Sequence, residues 1–238
     1  MPIGKGGFGM NKSVFVTGGT SGTGLAIAER FAKENYNVFI GSRSAESAQA
    51  AACEINKKYG VFSKGCGYRT DTLNTDETEM IFDDIKSMGC LLDALVLNAA
   101  NLGIGQNSLD VDIKDFMDVF NMNIGWNFMM SRAAAFQMKE KGGGAIVFIG
   151  SAIRVTENRC AYCSSKSAML AMSKSFAVDW GKFGIRSNCV LPGMIKTERW
   201  KTNQNNARNC LANYTPIEDI ADFEDIANAA YYFASDAA

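Results

Sequence analysis

Between the apolar run Val14-Phe15-Val16 and a helix-like pattern that begins at Leu25, the chain places glycine at positions 18, 19, 22 and 24, with Thr20, Ser21 and Thr23 among them. Glycine lets backbone amides approach a ligand closely or take positive φ, and a strand-to-helix turn aims those amides at an anion. The chemistry invited is the holding of a phosphate-bearing cofactor, with Gly18, Gly22 and Gly24 setting the turn. Glycines also serve ordinary strand–helix turns, so the reading depends on what surrounds them.

The absence of histidine excludes whole reaction classes. A Ser-His-Asp triad, a Cys-His pair and the usual zinc or non-haem iron sites all need imidazole. No metal site is expected. Gly19-Thr20-Ser21-Gly22-Thr23 misses the nucleophile elbow of hydrolases at its last residue and has no base to serve it. The net charge of −1 gives no electrostatic case for nucleic acid or an anionic membrane. No apolar run approaches the length of a membrane span, and seven irregularly spaced cysteines read as reduced thiols, so a soluble, cytoplasmic protein is expected. Residues 1–12, basic and glycine-rich without an apolar stretch, read as a flexible arm and not as a signal peptide.

These residues need a scaffold, and the chain alternates short apolar runs with longer amphipathic ones. Strands are expected at Ser13–Thr17, Asn37–Gly41, Lys64–Arg69, Ala94–Asn98, Ala145–Ile149 and Arg186–Leu191. Helices are expected at Leu25–Glu34, Ala45–Tyr59, Asp76–Met88, Ile113–Lys141, Tyr162–Lys182 and Phe223–Ala234. Strict alternation implies an α/β fold, a Rossmann-like doubly wound parallel sheet with helices on both faces, and 238 residues suit a single domain. The glycines then fall after the first strand and at the start of the first helix, where a dinucleotide-binding turn belongs. The polar stretch Lys196–Asn213 follows a strand's carboxyl end, where such proteins bind ligands.

Further marks follow in order. Thr17 to Gly24 has the form Thr-Gly-x-x-x-Gly-x-Gly; Asp71 stands in YRTDTL, Asn98 in LVLNAA, Asn123 in FNMNIGWNF, Ser151 in VFIGSA, Tyr162 and Lys166 in YCSSK, and Pro192, Gly193 and Thr197 in LPGMIKT. Together they resemble the short-chain dehydrogenase/reductase family over nearly the whole chain. The resemblance implies an oxidoreductase that exchanges hydride between a nicotinamide cofactor and a ketone or secondary alcohol. It places the cofactor against Gly18, Thr20, Ser21, Gly22, Thr23, Asp71, Thr72, Asn98, Ala99, Ala100, Tyr162, Lys166, Pro192, Gly193, Ile195 and Thr197, with Ala100 standing where the family has glycine.

Ketone reduction also requires a proton from an acid within hydrogen-bond reach of the carbonyl oxygen. Tyr162 is the acid the motif offers. A tyrosine ordinarily titrates near about 10, so nearby positive charge is expected to lower it: Lys166 lies one helical turn on, on the same face, and would act together with the positive charge of the oxidised nicotinamide. Ser151 would donate to the same substrate oxygen. The resemblance adds that Lys166 holds the nicotinamide ribose and that Asn123 positions a water in a proton relay. Each residue has a plainer reading: Tyr162 and Lys166 as a surface pair, Ser151 as a strand-end cap, Asn123 as a satisfied buried amide. Cys160 and Cys163 bracket Tyr162 in C-x-x-C spacing and read as two small buried thiols, with a redox switch as the alternative.

The second strand's end chooses the cofactor. NAD-selective relatives carry a carboxylate there; this chain has Ser42, followed by Arg43, whose guanidinium can pair with a phosphate. NADP(H) is therefore expected over NAD(H). The small-molecule carbonyl or alcohol is expected against Ile104, Ala152, Ile153, Arg154, Met194 and Trp200, under a lid at residues 194–215. Three substrate classes fit: a hydroxysteroid or bile acid, a sugar or polyol, and a 3-oxoacyl thioester. Acyl-carrier reductases resemble one another in arginines that here align with Gly142 and Phe183, which weakens that alternative. A catalytically silent, cofactor-sensing relative is the other. The resemblance further implies a homodimer or homotetramer built on the fourth and fifth helices, and one more parallel strand after Ala238.

Overall fold

A computed structural model describes residues 11–68, 73–152, 157–197 and 219–238. Six strands form one parallel sheet: β1 (Ser13–Thr17), β2 (Asn37–Ser42), β3 (Ser63–Gly67), β4 (Ala94–Leu97), β5 (Gly144–Ile149) and β6 (Ile185–Val190), in the order β3-β2-β1-β4-β5-β6. Between and after them run α1 (Gly22–Lys33), α2 (Ala45–Tyr59), α3 (Thr75–Ser87), α4 (Ile113–Phe120), α5 (Asn127–Lys141), α6 (Cys160–Trp180) and α7 (Phe223–Ala234). The expected doubly wound α/β architecture is the one observed.

Period-2 alternation divides the sheet into two cores. Val14, Val16, Val38, Ile40, Val96 and Val147 face α1, α2 and α7, where Ile27, Phe31, Ile55 and Ile226 meet them. Phe15, Phe39, Leu95, Ile146 and Phe148 face the other way, against Phe82, Trp126, Met130, Met169 and Phe176. Polar side chains set the starts of α2, α3 and α4: Ser44, Asn74 and Asp112 each accept a hydrogen bond from backbone amides of the first turn. Asp222 and Asp225 form a reciprocal capping box at α7.

The strand order reverses between β1 and β4, which opens a crevice at their carboxyl ends. Register there is exact in the pairing of Val14 with Ala94 and of Val16 with Val96. The turn after β1 and the segment after β4 therefore leave the sheet side by side.

Two expectations need correction. The single helix expected over Ile113–Lys141 is interrupted by a π-helical segment at Asn121–Trp126. Inside it the side-chain amide of Asn127 donates to the Asn123 carbonyl at 2.9 Å, a local competitor for the regular helix ladder. The third strand ends at Gly67, so Tyr68 lies just beyond it. Residues 1–10 of the expected arm and 198–215 of the expected lid lie outside the described residues. Among the described residues the sheet ends at β6, and no helix is long and apolar enough to cross a membrane.

Arg186 on β6 fastens the last helix. Its Nη1 and Nη2 donate to the carbonyls of Phe233 and Ser235 at 2.6 and 2.8 Å. Hydrogen bonds from a charged donor contribute about 1.5–3 kcal/mol each. Arg186→Met is expected to lower stability in urea by roughly 2–4 kcal/mol, with the earliest loss of amide-exchange protection in α7. Unchanged protection of residues 223–234 would refute this anchoring role.

Candidate active site

The glycine turn is built to stay narrow. Gly18 and Gly22 adopt φ of +64° and +51°, where other residues are strained. At Gly24 an added Cβ would lie 2.1 Å from the Gly18 carbonyl oxygen and 2.6 Å from Nδ2 of Asn98. Asn98 braces this turn by donating Nδ2 to the carbonyls of Thr17 and Gly18 at 3.2 and 3.3 Å. Thr17 Oγ1 accepts in return from the amides of Asn98 and Ala99, both at 3.0 Å. The amides at the start of α1 receive no side-chain cap, and the first turn holds no acidic residue. A phosphate fits such an end: it supplies the missing acceptors and complements the helix dipole. Thr20 and Thr23 are half-buried around the turn, and Ser21 is exposed.

The residues expected to carry the acid–base chemistry gather at the carboxyl ends of β4, β5 and β6. Lys166, in the second turn of α6, is 4% exposed, and its Nζ donates to the Ile149 carbonyl at 2.7 Å. Burial lowers its pKa from 10.5 to about 8, opposed in small part by the Cys189 thiol. Ile149 ends β5, and half-buried Ser151 follows two residues later. The Gly150 amide donates to the Val190 carbonyl and the Ala152 amide to the Pro192 carbonyl, both at 2.8 Å. Ser151 and the Pro192-Gly193 turn are thereby held together. Half-buried Tyr162 stands one turn before Lys166, whose Nζ lies 5.8 Å from the centre of the phenol ring.

In the protein alone, without the charge of the oxidised nicotinamide, the Tyr162 pKa lies above its ordinary value. Burial raises it, the Cys163 thiol adds to the rise, and the Arg159 guanidinium partly opposes it. Lys166 is aimed at a carbonyl, is itself partly neutralised by burial, and leaves the phenol protonated.

Asn123 is wholly buried in the π-helical segment, and its amide is committed. Oδ1 accepts from the Asn101 amide at 2.8 Å, while Nδ2 donates to the Asn101 carbonyl and to Ser165 Oγ, each at 2.9 Å. Ser165 Oγ donates onward to the Tyr162 carbonyl at 2.9 Å. Asn123 thus clamps the exit of β4 to the first turns of α6. Sequence reasoning passed over Ser165; its signal was its place three residues after Tyr162, on the same helical face.

Other expected residues are placed less tightly. Ser42 is half-buried at the end of β2 and accepts weakly from the Ser44 amide, and Arg43 is exposed beside it. Ala100, Met194, Ile195 and Thr197 are half-buried, Pro192 is buried, and Gly193, Ala152 and Ile104 are exposed. Ile104 and Tyr162 line one small cavity of about 20 Å³ with Arg159. Asp71, Thr72, Ile153, Arg154 and Trp200 lie outside the described residues. Cys163 is buried, but Cys160 is exposed, contrary to expectation, and both are free thiols.

Comparison with known proteins agrees with this geometry. A family model described as short chain dehydrogenase matches residues 12–208. The 7alpha-hydroxysteroid dehydrogenase of Clostridium sardiniense is 33% identical over 230 residues, covering 94% of this chain and 87% of that protein. The D-threitol dehydrogenase of Mycolicibacterium smegmatis is 30% identical over 230 residues, covering 95% and 87%. Among solved structures, the L-sorbose reductase of Gluconobacter frateurii, complexed with NADPH and L-sorbose, superposes with a TM-score of 0.85 at 25% identity, covering 97% of this chain and 93% of that one.

Buried Lys166 gives a pH dependence to stability. The unfolded chain still holds the proton at its ordinary pKa of 10.5, whereas the folded chain releases it near about 8. Stability therefore rises with pH across that window. Relative to Lys166→Met, wild type is expected to gain roughly 2–3 kcal/mol between pH about 7.5 and about 10.5 in urea unfolding. A pH-independent difference between the two proteins would contradict the lowered pKa.

Proposed function

The chain belongs to the short-chain dehydrogenase family, and from that premise we propose that it interconverts a ketone and a secondary alcohol with NADP(H), using Ser151, Tyr162 and Lys166 as its acid–base site. The observation that carries the reading is the bond from Lys166 Nζ to the Ile149 carbonyl, which brings α6 with Tyr162 to the strand end that bears Ser151.

The nicotinamide, when bound, supplies or accepts the hydride. The residues do the rest. Tyr162 donates its phenolic proton to the carbonyl oxygen as negative charge develops there, and recovers it in the reverse direction. Ser151 Oγ holds the same oxygen with a second hydrogen bond. Lys166, with its remaining donors, holds the nicotinamide ribose and favours the phenolate through its charge. Asn123 acts by holding Asn101 and Ser165, and hence the backbone of Tyr162. Gly18, Thr20, Ser21, Gly22 and Thr23 receive the pyrophosphate, Asn98, Ala99 and Ala100 line the adenosine side with Asp71 and Thr72, and Pro192, Gly193, Ile195 and Thr197 meet the nicotinamide.

Ser42 and Arg43 support NADP(H) over NAD(H), because the position after β2 offers a cation and no carboxylate to repel a 2′-phosphate. The substrate class follows the relatives, a hydroxysteroid or a polyol, against Ile104, Ala152, Ile153, Arg154, Met194 and Trp200. Exposed Phe128, Phe136 and Val178 on α5 and α6 support a homodimer or homotetramer joined through those helices. Seven irregularly spaced cysteines, which read as reduced thiols, support a cytoplasmic location.

Two substitutions test the reading. Tyr162→Phe keeps the ring and removes the acid, so NADPH-dependent turnover across hydroxysteroid and polyol ketones is expected to fall by roughly 10²–10⁴-fold with cofactor binding kept. Near-normal turnover would end the proposed mechanism. Arg43→Ala is expected to weaken NADPH by about ten- to a hundredfold in a fluorescence titration and to leave NADH nearly unchanged. Equal affinity of wild type for both cofactors would rule out the preference.

A further inference from the structure

Tyr68 has taken no part in this account, yet it reaches the glycine turn from the edge of the sheet. It follows β3, is 8% exposed, and its ring packs on Trp126 with centroids 4.5 Å apart. The ring passes beneath Gly41 of β2, where an added Cβ would lie 2.5 Å from its Cε1. That glycine lets the phenol cross under one strand and end at the next. There its oxygen shares the Gly18 amide, which donates to it at 3.1 Å and to the Gly41 carbonyl at 2.8 Å.

A phenol has one proton to donate as well as lone pairs that accept. The Tyr68 oxygen is engaged as an acceptor, and among the described residues no acceptor takes its proton. Burial, the largest cause, pushes the pKa up to about 12, while the Gly18 amide and the Arg43 guanidinium both pull it down. Tyr68 is thus a protonated donor near neutral pH, and its backbone amide donates at 3.0 Å to the carbonyl of Ser42, the residue before Arg43. Tyr68 and Arg43 line a cavity of about 850 Å³ that runs from the end of β2 along α3. The acids of that cavity, Glu77, Asp83 and Asp84, sit on α3, and Asp84 is paired with Lys64 at 2.5 Å. The cavity is thus lined by a cation and by a tyrosine whose hydroxyl lies at the glycine turn.

We propose that Tyr68 is part of the 2′-phosphate site: held by the Gly18 amide, its hydroxyl donates to an oxygen of the cofactor's 2′-phosphate beside Arg43. This rests on the NADP(H) reading above. A phosphate oxygen accepts without needing a donor in return, whereas a ribose hydroxyl carries its own proton; the former is the better match to a lone donor next to a guanidinium.

The test is Tyr68→Phe, which removes one oxygen and leaves the ring on Trp126. Dissociation constants for NADPH, NADH, adenosine 2′,5′-bisphosphate and 5′-AMP are measured by calorimetry on wild type and variant, with the unfolding midpoint of each protein. NADPH and the bisphosphate are expected to weaken by about five- to twentyfold, with NADH and AMP nearly unchanged. The ³¹P resonance of the bound 2′-phosphate is expected to move while the pyrophosphate resonances stay. Parallel weakening of all four ligands would show that the hydroxyl only props the glycine turn and would overturn the proposal, as would unchanged NADPH binding. A wild type that binds NADH as tightly as NADPH would instead overturn the NADP(H) reading, and the Tyr68 assignment with it.

Discussion

A lysine ammonium buried against the end of a strand governs this molecule's chemical end. Removing a charge from water is costly, and one carbonyl does not offset it fully, which is why Lys166 drifts toward neutrality. The bond is also a ruler. It sets the second turn of α6 on Ile149, so Tyr162 stands one turn earlier and Ser151 two residues later without further adjustment. The Asn123–Ser165 contact is a second strut, fixing the same helix through the Tyr162 carbonyl.

The exit of β4 joins this end to the nucleotide end. Asn98 braces the glycine turn, and three residues on Asn101 is gripped by Asn123. Four residues of backbone therefore span the crevice between the glycine turn and the helix that bears Tyr162. A cofactor lying across the strand ends would meet both at a separation the sheet itself fixes. These braces tie the glycine turn, the exit of β4 and the second turn of α6 to backbone groups at the strand ends.

Much of this was legible in the residues. Short apolar runs alternating with amphipathic ones implied a parallel sheet with helices on both faces, and the glycines, Tyr162, Lys166 and Ser151 fell near element ends on the sheet's carboxyl side. What escaped depended on contacts between distant segments. The π-helical segment was hidden because Asn123 and Asn127 keep ordinary helical spacing while their amides compete for backbone groups. The rise of the Tyr162 pKa in the protein alone was not legible, because spacing places Lys166 near the phenol but does not show its ammonium aimed at Ile149, or the burial of both. Tyr68 was invisible as a site residue because its reach depends on Gly41, 27 positions earlier. Two readings of the C-x-x-C pair differed in burial, which the sequence does not encode, and Cys160 proved exposed.

The central claim is that the protein alone keeps Tyr162 protonated and that the positive charge of the oxidised cofactor, with Lys166, makes it an acid near neutral pH. Titration of ¹³C-labelled Tyr162 by NMR, with and without NADP⁺, addresses that claim without knowledge of the substrate. The account predicts ionisation above the ordinary value of about 10 in the free protein and clearly below it in the complex. A phenol that titrates at the same pH in both states, or stays above about 10 with NADP⁺ bound, would contradict it.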